Sequence, residues 1–596
     1  MKYNHNIKKI VIAGIAAVSM LLGACSKTPG TAQLVNNTAA PTATVIPTPE
    51  ISTAEKFDIY TEQLFLDEIV QNTINQHYIL AHPENFGITE YEPSLGSFDI
   101  EGMKQSYEEL EQIKKELEAF TYEELTKEQK FTYDIFMDYI ETELSVKDLI
   151  LFTEVLGPVT GYQAQLPVLL AEYNFRTVRD IEDYLALVAQ VDEMFAELVV
   201  FEQAKSEAGL FMADFAADAI IDQCKQFIEN PEENYMLDVF ETAINEFEGL
   251  SEEEKQNYIA KNKELVTTEL VAAYRSLIDG LEALKGTGTN DKGLCHYENG
   301  TRYYEYLVRS LTGSDKSVEE LMTETEAFMD SMLTEMRSIM LSNLDLLSLM
   351  ENPTFCETEP EAVLEDLITK ISADFPELPA VNYKVKRVHP SMEEHMSPAF
   401  YLTPPVDDME NHVIYINEYQ LADSQIYTTM AHEGFPGHLY QNVYTGSQNL
   451  PLIRNMFSFS GYTEGWATYV EHYSYQLGLE NEQLAKLIKL NNALSLGISA
   501  YTDMGIHYLG WDVEQVQEYL MKYNMATYGQ LLFETMVNEP ANYLSYFIGY
   551  MEMENLKKVA EEAWGTDFSV KKFHEAVLSL GPAPFYLLEE EIKVYE

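Results

Sequence analysis

The sequence predicts a mainly α fold, and three observations support that prediction. Apolar residues recur every three or four positions through most of residues 57–290, acidic residues take the positions between them, and glycine and proline fall mostly between such segments. With 596 residues, 46% of them hydrophobic and 12% aromatic, the chain can bury a large core. No period of about 20 to 50 residues repeats, which argues against a solenoid.

The N-terminus has the features of a secretory signal. Three lysines precede an apolar run that is too short to be retained as a membrane-spanning helix. The run ends in "LGAC" at 22–25, which resembles the bacterial lipobox, where the signal is cut before a cysteine that carries the lipid. We predict a lipoprotein signal peptide at 1–24, lipidation of Cys25, and anchoring to the extracytoplasmic face of the bacterial cell membrane. An ordinary signal peptide with a chance cysteine is the alternative.

Three further segments follow the signal. Residues 25–56 are rich in threonine, alanine and proline and have little charge, so they predict a flexible tether. The folded body is predicted as an N-terminal helical half at 57–290 and a C-terminal half at 291–596 that contains the candidate catalytic site. In "IEDYLALVAQVDEMFAELVV", for example, apolar residues from Tyr184 to Phe195 fall on one helix face.

Charge and cysteine content exclude some classes of protein. The formal charge of −60 argues against nucleic acid as a partner and against docking on anionic lipid. Cys224, Cys295 and Cys356 are far apart and form no CxxC pair, so neither a structural zinc knot nor a disulfide framework is indicated. We expect three buried small hydrophobic residues, with one disulfide and one free thiol as the alternative.

A short β element is predicted beside the candidate site. "HVIYINEY" at 412–419 alternates as a strand does, and the extended stretch "SPAFYLTPPVDD" precedes it. After the strand, Asp423 or Ser424 can cap a helix that runs to His432. Such a strand can pair with a peptide substrate, although a purely structural edge strand is commoner.

The segment "HEGFPGH" at 432–438 carries the strongest chemical signal. Helix side chains four positions apart share a face and can bind one metal, whereas His432 and His438, six apart, would differ by roughly 240°. Pro436 and Gly437 break the helical pattern between them. Without these two residues "HEGFH" is left, with Glu433 and both histidines in the register of a zinc hydrolase. The sequence therefore predicts a two-residue bulge in a metal-binding helix.

A third metal ligand is predicted 26 residues further along. "SGYTEGWATYVEHY" contains Glu464 and Glu471, which are seven positions apart and can share a helix face. Catalytic zinc is often bound by two imidazoles and one carboxylate, with a fourth position left open for water. Glu433 is placed to take the proton of that water. Glu464 is the predicted third ligand. Glu471 and His472 either support the ligands or are solvated polar residues.

With these residues the chain resembles the family catalogued as domain of unknown function 885, whose members carry an HExxPGH element followed by an EGWA element. Those elements stand here at 432–438 and 464–467, and the likeness continues in "DMGIHYLGW" at 503–511 and "EPANYLSYFIGY" at 539–550. The resemblance implies a large helical body with a deep central cleft and a small β element next to the zinc helix, similar to zinc peptidases of the angiotensin-converting-enzyme and oligopeptidase type.

The resemblance also implies roles for six residues: zinc ligands at His432, His438 and Glu464, a general base at Glu433, and oxyanion donors at His507 and Tyr546. Taken alone, the sequence leaves His507 open as a core histidine and Tyr546 as one of many structural tyrosines. The chain departs from the family in "GISAYTD" at 497–503, which has no basic residue to bind a substrate carboxylate.

Three functions follow from these expectations. The first is a membrane-anchored zinc metallopeptidase that hydrolyses short peptides. The second keeps the same zinc site but hydrolyses another amide or an ester, because the ligands dictate attack on a carbonyl and not its substituents. The third is a non-catalytic solute-binding or scaffold lipoprotein. Glu433 argues against the third, since a structural metal site has no need of a base beside its first ligand.

Overall fold

The computed structural model describes residues 51–388, 393 and 396–595 of the chain. The predicted mainly α fold is confirmed, because helices make up most of these residues and one small sheet accompanies them. The predicted signal peptide, Cys25 and the tether up to residue 50 lie outside the described residues. None of the described helices combines the length and the apolar character that a membrane crossing requires.

In chain order, the helices are α1 Thr53–Ile69, α2 Thr73–Ile79, α3 Ile100–Glu118, α4 Lys127–Leu144, α5 Tyr162–Ala171, α6 Val178–Val188, α7 Val191–Glu207, α8 Asp214–Phe227, α9 Tyr235–Glu246, α10 Glu252–Glu264, α11 Val271–Leu284, α12 Gly300–Thr312, α13 Val318–Ser342, α14 Leu346–Met350, α15 Pro360–Ile371, α16 Asp423–Glu433, α17 His438–Gly446, α18 Ser460–Gly478, α19 Glu482–His507, α20 Val513–Met521, α21 Gly529–Asn538, α22 Leu544–Trp564, α23 Val570–Leu580 and α24 Phe585–Lys593. The strands are β1 Asn382–Arg387, β2 Ala399–Leu402 and β3 Asn411–Ile416.

The first described helix begins at Thr53, and the predicted start of the folded body at residue 57 stays a prediction. Ser52 caps α1 in a reciprocal pair with Glu55, in which each side chain accepts a hydrogen bond from the other residue's main-chain N–H. Such a capping box satisfies two N–H groups that the first helical turn leaves unpaired. The apolar run from Tyr184 to Phe195 is helical and buried, but it is shared between α6 and α7.

Two large hydrophobic cores hold the helices of the described residues together, and a third, small cluster lies at the sheet. The larger contains most buried residues of the C-terminal half, together with Phe57 and Phe65 of α1 and Ile135 of α4. The second lies entirely between Ile74 and Leu281. Because α1 and α4 pack into the larger core, both predicted halves contribute to it. The division of the chain at residue 290 stays a prediction.

The small sheet lies between α15 and α16 in the sequence, as the β element beside the site was predicted to do. Its strand order is β1-β3-β2, with β1 parallel and β2 antiparallel to β3. The predicted strand at 412–419 is β3, shortened to Asn411–Ile416. The segment interpreted as merely extended contains β2, and β1 was not predicted.

Glycines set a close crossing between α18 and α22. A Cβ atom built on Gly465 would lie 2.4 Å from the carbonyl carbon of Gly549, and one built on Gly549 would lie 2.1 Å from the carbonyl oxygen of Gly461. Real Cβ atoms do not approach backbone atoms this closely, so the two helices can touch only through glycine. Two predicted motifs, EGWA and "EPANYLSYFIGY", are held together by this contact.

The expectation of three buried cysteines is correct for Cys224 alone. Cys295 is half-buried and Cys356 is exposed, and all three are free thiols, so the alternative with a disulfide is not found either. At the surface, Cys356 Sγ contacts two polar side chains, the Lys370 ammonium at 3.3 Å and the Asp366 carboxylate at 3.5 Å.

Candidate metal centre

The two histidines of the motif lie on consecutive helices that meet at a break. Helix α16 ends at Glu433 and α17 begins at His438, so the predicted bulge is a full interruption of the helix. Asp423 is the first residue of α16 and not its cap, since Ala422 occupies the capping position. The imidazole rings nevertheless lie close, with centroids 4.8 Å apart and planes at 82°.

One hydrogen bond shows how the insertion is accommodated. The main-chain N–H of Tyr440 donates to the carbonyl oxygen of Gly434, 3.1 Å away. This bond spans six residues, whereas an α-helical bond spans four. The two additional residues are therefore looped out, and the helical register resumes beyond them. The helical register predicted from "HEGFH" is therefore kept across the two looped residues.

The looped residues are tightly enclosed. A Cβ atom on Gly437 would lie 1.7 Å from the carbonyl oxygen of His432, which leaves no room for any side chain. The Phe435–Pro436 peptide bond is cis. The indole Nε1–H of Trp466, in α18, donates to the carbonyl oxygen of Pro436 at 2.9 Å. The tryptophan of the EGWA motif thus fastens the loop to the helix that carries Glu464.

The three predicted ligands converge. His432, His438 and Glu464 each offer one ligand atom, and these atoms lie within 4.8 Å of one another. Glu464 Oε2 is 3.5 Å from His432 Nε2 and 3.7 Å from His438 Nε2. Two ligands that are each about 2 Å from a tetrahedral zinc ion are about 3.4 Å apart. The spacing is therefore that of atoms facing a common ion.

Unsatisfied buried atoms support the same conclusion. His438 Nε2 and both carboxylate oxygens of Glu464 are buried and have no hydrogen-bond partner. The distances of 3.5 and 3.7 Å from Glu464 Oε2 to the two histidine Nε2 atoms are short enough for ion pairs but too long for hydrogen bonds. Buried polar atoms left unpaired cost about 1–3 kcal/mol each. A cation bound among them would satisfy all three, so the residues present fit a divalent metal such as zinc.

Electrostatics inside the cluster favour an ionised carboxylate. Burial alone would raise the pKa of Glu464, but His438 and His432 more than offset this effect and lower the pKa to about 2. Conversely, burial would lower the pKa of His432, and the carboxylates of Glu464, Glu471 and Glu433 raise it well above the ordinary value. The site therefore stabilises positive charge among its acids, which is also what a metal ion requires.

Glu433, the predicted general base, is held beside the ligands by β2. Its side chain is 7% exposed, and its Oε2 accepts a hydrogen bond of 2.9 Å from the main-chain N–H of Tyr401. Burial raises the pKa of the Glu433 carboxyl, partly offset by the charges of the two histidines. A base needs a pKa nearer to neutrality than that of a free carboxylate, so the direction suits the role.

Tyr401 was not predicted as part of the site. It belongs to β2, and its hydroxyl lies 2.6 Å from Nδ1 of His412, whose Nε2 lies 3.0 Å from the carbonyl oxygen of Met409. These contacts fix the strand that presents the Tyr401 N–H to Glu433. The extended stretch "SPAFYLTPPVDD" contains Tyr401 and indicates a strand-like backbone near the site. The sequence does not show that the Tyr401 N–H faces Glu433.

Tyr546 is one of the two implied oxyanion donors, and this role stays a prediction. Burial raises the pKa of its phenol well above the ordinary value, and the negative charges of Glu464, Glu433 and Glu471 add to this effect. The side chain is only half-buried. The hydroxyl therefore keeps its proton, as a hydrogen-bond donor to an oxyanion must.

His507 is not available as an oxyanion donor, which corrects that expectation. Its Nδ1 accepts a hydrogen bond from the main-chain N–H of Leu294 at 3.0 Å, and its Nε2 lies 2.8 Å from the carbonyl oxygen of Met536. Burial lowers the pKa of the imidazole to about 4. With both nitrogens engaged by the backbone, His507 is a core histidine, the alternative that the sequence left open.

Glu471 contacts one of the predicted ligands and is not a solvated polar residue without a partner. Its Oε2 lies 3.1 Å from His432 Nδ1, on the opposite side of the ring from Glu464. The neighbouring His472 is 2% exposed, and its Nδ1 has no hydrogen-bond partner. A carboxylate on Nδ1 fixes the tautomer that leaves Nε2 free for a metal and makes that nitrogen more basic.

We expect Glu471→Gln to weaken zinc binding by about tenfold and Glu471→Ala by up to about a hundredfold. Glutamine can still accept from His432 Nδ1–H but lacks the negative charge, and alanine loses both contributions. Competition with a chromophoric zinc chelator measures the affinities. Glu480→Gln removes an exposed carboxylate just beyond the same helix and should have no effect. Unchanged affinity in both Glu471 variants would contradict the assigned role.

The chain matches the family described as "Bacterial protein of unknown function (DUF885)" over residues 83–592. Among solved structures, it superimposes on "the putative lipoprotein from Colwellia psychrerythraea" with a TM-score of 0.81 and 20% identity, over 91% of this chain and 99% of that one. A "putative lipoprotein of unknown function from Shewanella oneidensis" gives 0.62 and 17%, over 89% and 99%. At these identities the likeness shows a shared fold alone.

A "putative oligoendopeptidase F from Bacillus anthracis str. Ames" superimposes with a TM-score of 0.32 and 10% identity, over 85% of this chain and 96% of that one. Likeness at this level supports no argument about fold or function. The chain matches no curated protein. The chemistry of the site therefore has to be argued from its own residues.

Proposed function

This chain belongs to the DUF885 family of bacterial proteins, and we propose that it is a zinc-dependent hydrolase that cleaves short peptides. The observation that carries the proposal is the convergence of His432, His438 and Glu464, with His438 Nε2 and both Glu464 oxygens buried and unsatisfied, beside the buried carboxylate of Glu433. A structural metal site needs the ligands but not the neighbouring base.

In the proposed reaction the metal has two tasks. Zinc in a site with two imidazoles, a carboxylate and an open position polarises a carbonyl group and lowers the pKa of water. His432 and His438 would hold it through Nε2 and Glu464 through its carboxylate. Glu471 would orient His432 through its contact with Nδ1. Trp466 would hold the loop that precedes His438 through its hydrogen bond to Pro436.

Glu433 would move the proton. One of its oxygens is fixed by the Tyr401 N–H, so the carboxylate cannot rotate freely, and the other is left to accept a proton from the attacking water. The same group would then deliver that proton to the departing amine, as a single carboxylic acid does in general acid–base catalysis.

Tyr546 would stabilise the developing charge. Its hydroxyl stays protonated beside three carboxylates and belongs to a half-buried side chain, so it is able to donate to an oxygen that becomes negative during attack. Of the two implied oxyanion donors, we therefore keep Tyr546 and not His507, whose two nitrogens contact the backbone.

A lipid anchor completes the proposal. The lipobox-like "LGAC" ending at Cys25 and the two structural neighbours described as lipoproteins support attachment to the outer face of the cell membrane by lipid. The threonine- and proline-rich segment predicted at 25–56 would then separate the catalytic body from the membrane. Substrates would be short peptides outside the cytoplasm, and the net charge of −60 argues against nucleic acid as a partner.

The proposal is tested by hydrolysis of defined substrates with the mature chain, residues 25–596, carrying Cys25→Ser to prevent lipidation. We expect the zinc-loaded protein to cleave members of a mixture of short unstructured peptides, as read by mass spectrometry. Chelation should abolish cleavage, and zinc should restore it. Parallel assays use aryl esters and non-peptide acyl amides.

The outcomes separate the candidate functions. Cleavage of esters or acyl amides, but of no peptide, would replace the peptidase by the second hydrolase considered above. No hydrolysis of any substrate by protein that binds zinc would favour a non-catalytic lipoprotein. Cleavage that persists after complete metal removal would contradict the proposed mechanism.

A further inference from the structure

A cavity lies between α1, α3 and α4 and shares no residue with the metal centre. Its volume is about 190 Å³. An apolar cavity of about 150 Å³ can hold a benzene molecule. Six aromatic side chains line it: Phe98, Tyr107, Phe136, Tyr139, Tyr162 and Phe457. The cavity therefore has the size and the walls to accept one ring-sized apolar group.

A buried carboxylate, Glu143 of α4, reaches the wall of this cavity. Its side chain is 7% exposed, and its two oxygens lie 3.0 and 3.1 Å from the hydroxyl of Tyr306. A tyrosine hydroxyl has a single proton, so it can satisfy only one of these oxygens. Burial raises the pKa of Glu143 to about 7, with partial relief from Tyr306. No cationic side chain pairs with Glu143 among the described residues. This carboxylate lacks a counterion that a ligand could supply.

The other charges at the cavity have the same sign. Glu68 and Glu109 also line it, and its lining contains no lysine, arginine or histidine. Burial and the negative charges of Glu109 and Asp67 raise the pKa of Glu68. An anion would be repelled here. A cation would be attracted by the carboxylates and by the faces of the aromatic rings.

We propose that this cavity is a binding site for a small primary amine that carries one ring-sized apolar group. The ammonium would pair with Glu143, and the apolar group would occupy the space between the aromatic walls. Acidic residues at the cavity select the positive charge, and the volume limits the rest of the molecule to about one ring. This site is separate from the proposed hydrolase and does not depend on zinc.

Isothermal titration calorimetry of the mature chain with Cys25→Ser tests this proposal, using 2-phenylethylamine at pH 8 as the probe. We expect it to bind at least tenfold more tightly than the neutral 2-phenylethanol, and we expect the anionic 3-phenylpropanoate not to bind. Glu143→Gln preserves the shape of the side chain and should weaken binding of the amine at least tenfold. Glu108→Gln, which removes an exposed carboxylate from the same helix α3 that lines the cavity, should leave it unchanged.

A second variant keeps the test decisive if Glu143→Gln does not fold. Ile113→Trp fills the cavity and alters no charge. It should also abolish binding, with an unchanged circular dichroism spectrum. The proposal is overturned if 2-phenylethylamine does not bind at millimolar concentration, if the alcohol binds equally well, or if binding survives in folded Glu143→Gln or Ile113→Trp protein.

Discussion

Glu433→Gln should reduce peptide hydrolysis at least about a thousandfold, or about 4 kcal/mol in transition-state free energy, while the protein still binds zinc. Glutamine matches the shape of the side chain and can still accept the Tyr401 N–H, so the site keeps its geometry. It cannot take a proton from water or return one to the leaving amine. The loss should therefore appear in kcat, with little change in KM.

The measurement compares kcat, KM and zinc content of the two proteins on one peptide identified in the substrate mixture. Asp423→Asn removes a carboxylate from the exposed start of the same helix α16 and should behave as the unaltered protein. If Glu433→Gln retained more than about a tenth of the activity, Glu433 would not be the general base.

Gly437→Ala should disrupt the metal centre although every ligand is still present. An added Cβ would lie 1.7 Å from the carbonyl oxygen of His432, and 2.4 Å from that of Ala431. These are backbone atoms at the end of α16, so the loop must move away from them, and His438 is the next residue along the chain. A displacement of about 1 Å at a positioned group is enough to reduce function about a hundredfold.

We expect at least a hundredfold weaker zinc binding by Gly437→Ala, measured by chelator competition, and a corresponding loss of hydrolysis. The matched control is Gly446→Ala, at the other end of α17, where the added Cβ would meet only the flexible end of Met409. Zinc binding at full strength in Gly437→Ala would mean that the looped residues are not packed against the carbonyl oxygen of His432.

The fold class and the metal ligands could be predicted because each depends on local spacing. A helical period follows from which residues are apolar, and the buried run from Tyr184 to Phe195 confirms it. The register of "HEGFPGH" could be argued from two residues, since proline and glycine are the ones that interrupt a helix. The hydrogen bond from Tyr440 to Gly434 is the physical form of that argument.

Long-range partners could not be predicted from spacing. His507 stands in a motif typical of the family, yet Leu294 and Met536, both distant in sequence, occupy its two nitrogens. The Tyr401 N–H meets Glu433 because a four-residue strand happens to run beside α16. The role of Glu471 was an open alternative, because seven positions along a helix place a residue on a face but do not say what it faces.

The same limit applies to close packing and to cavities. Gly465 belongs to the EGWA motif, but only the packing of Gly549 of α22 against it explains why no side chain fits there. Glu143 appears in the sequence as one acidic residue among many, and its burial beside Tyr306 depends on how α4 packs against α12.

Zinc content is the measurement that tests the central claim most directly. Elemental analysis of the mature chain with Cys25→Ser, after zinc is supplied and the excess is removed, should give about one zinc per chain. His438→Ala, which removes one of three ligands, should lose most of it while keeping the helical circular dichroism spectrum. A folded, unaltered protein that retains no zinc, or a His438→Ala protein that retains as much as the unaltered one, would contradict the assignment of His432, His438 and Glu464 as a metal centre.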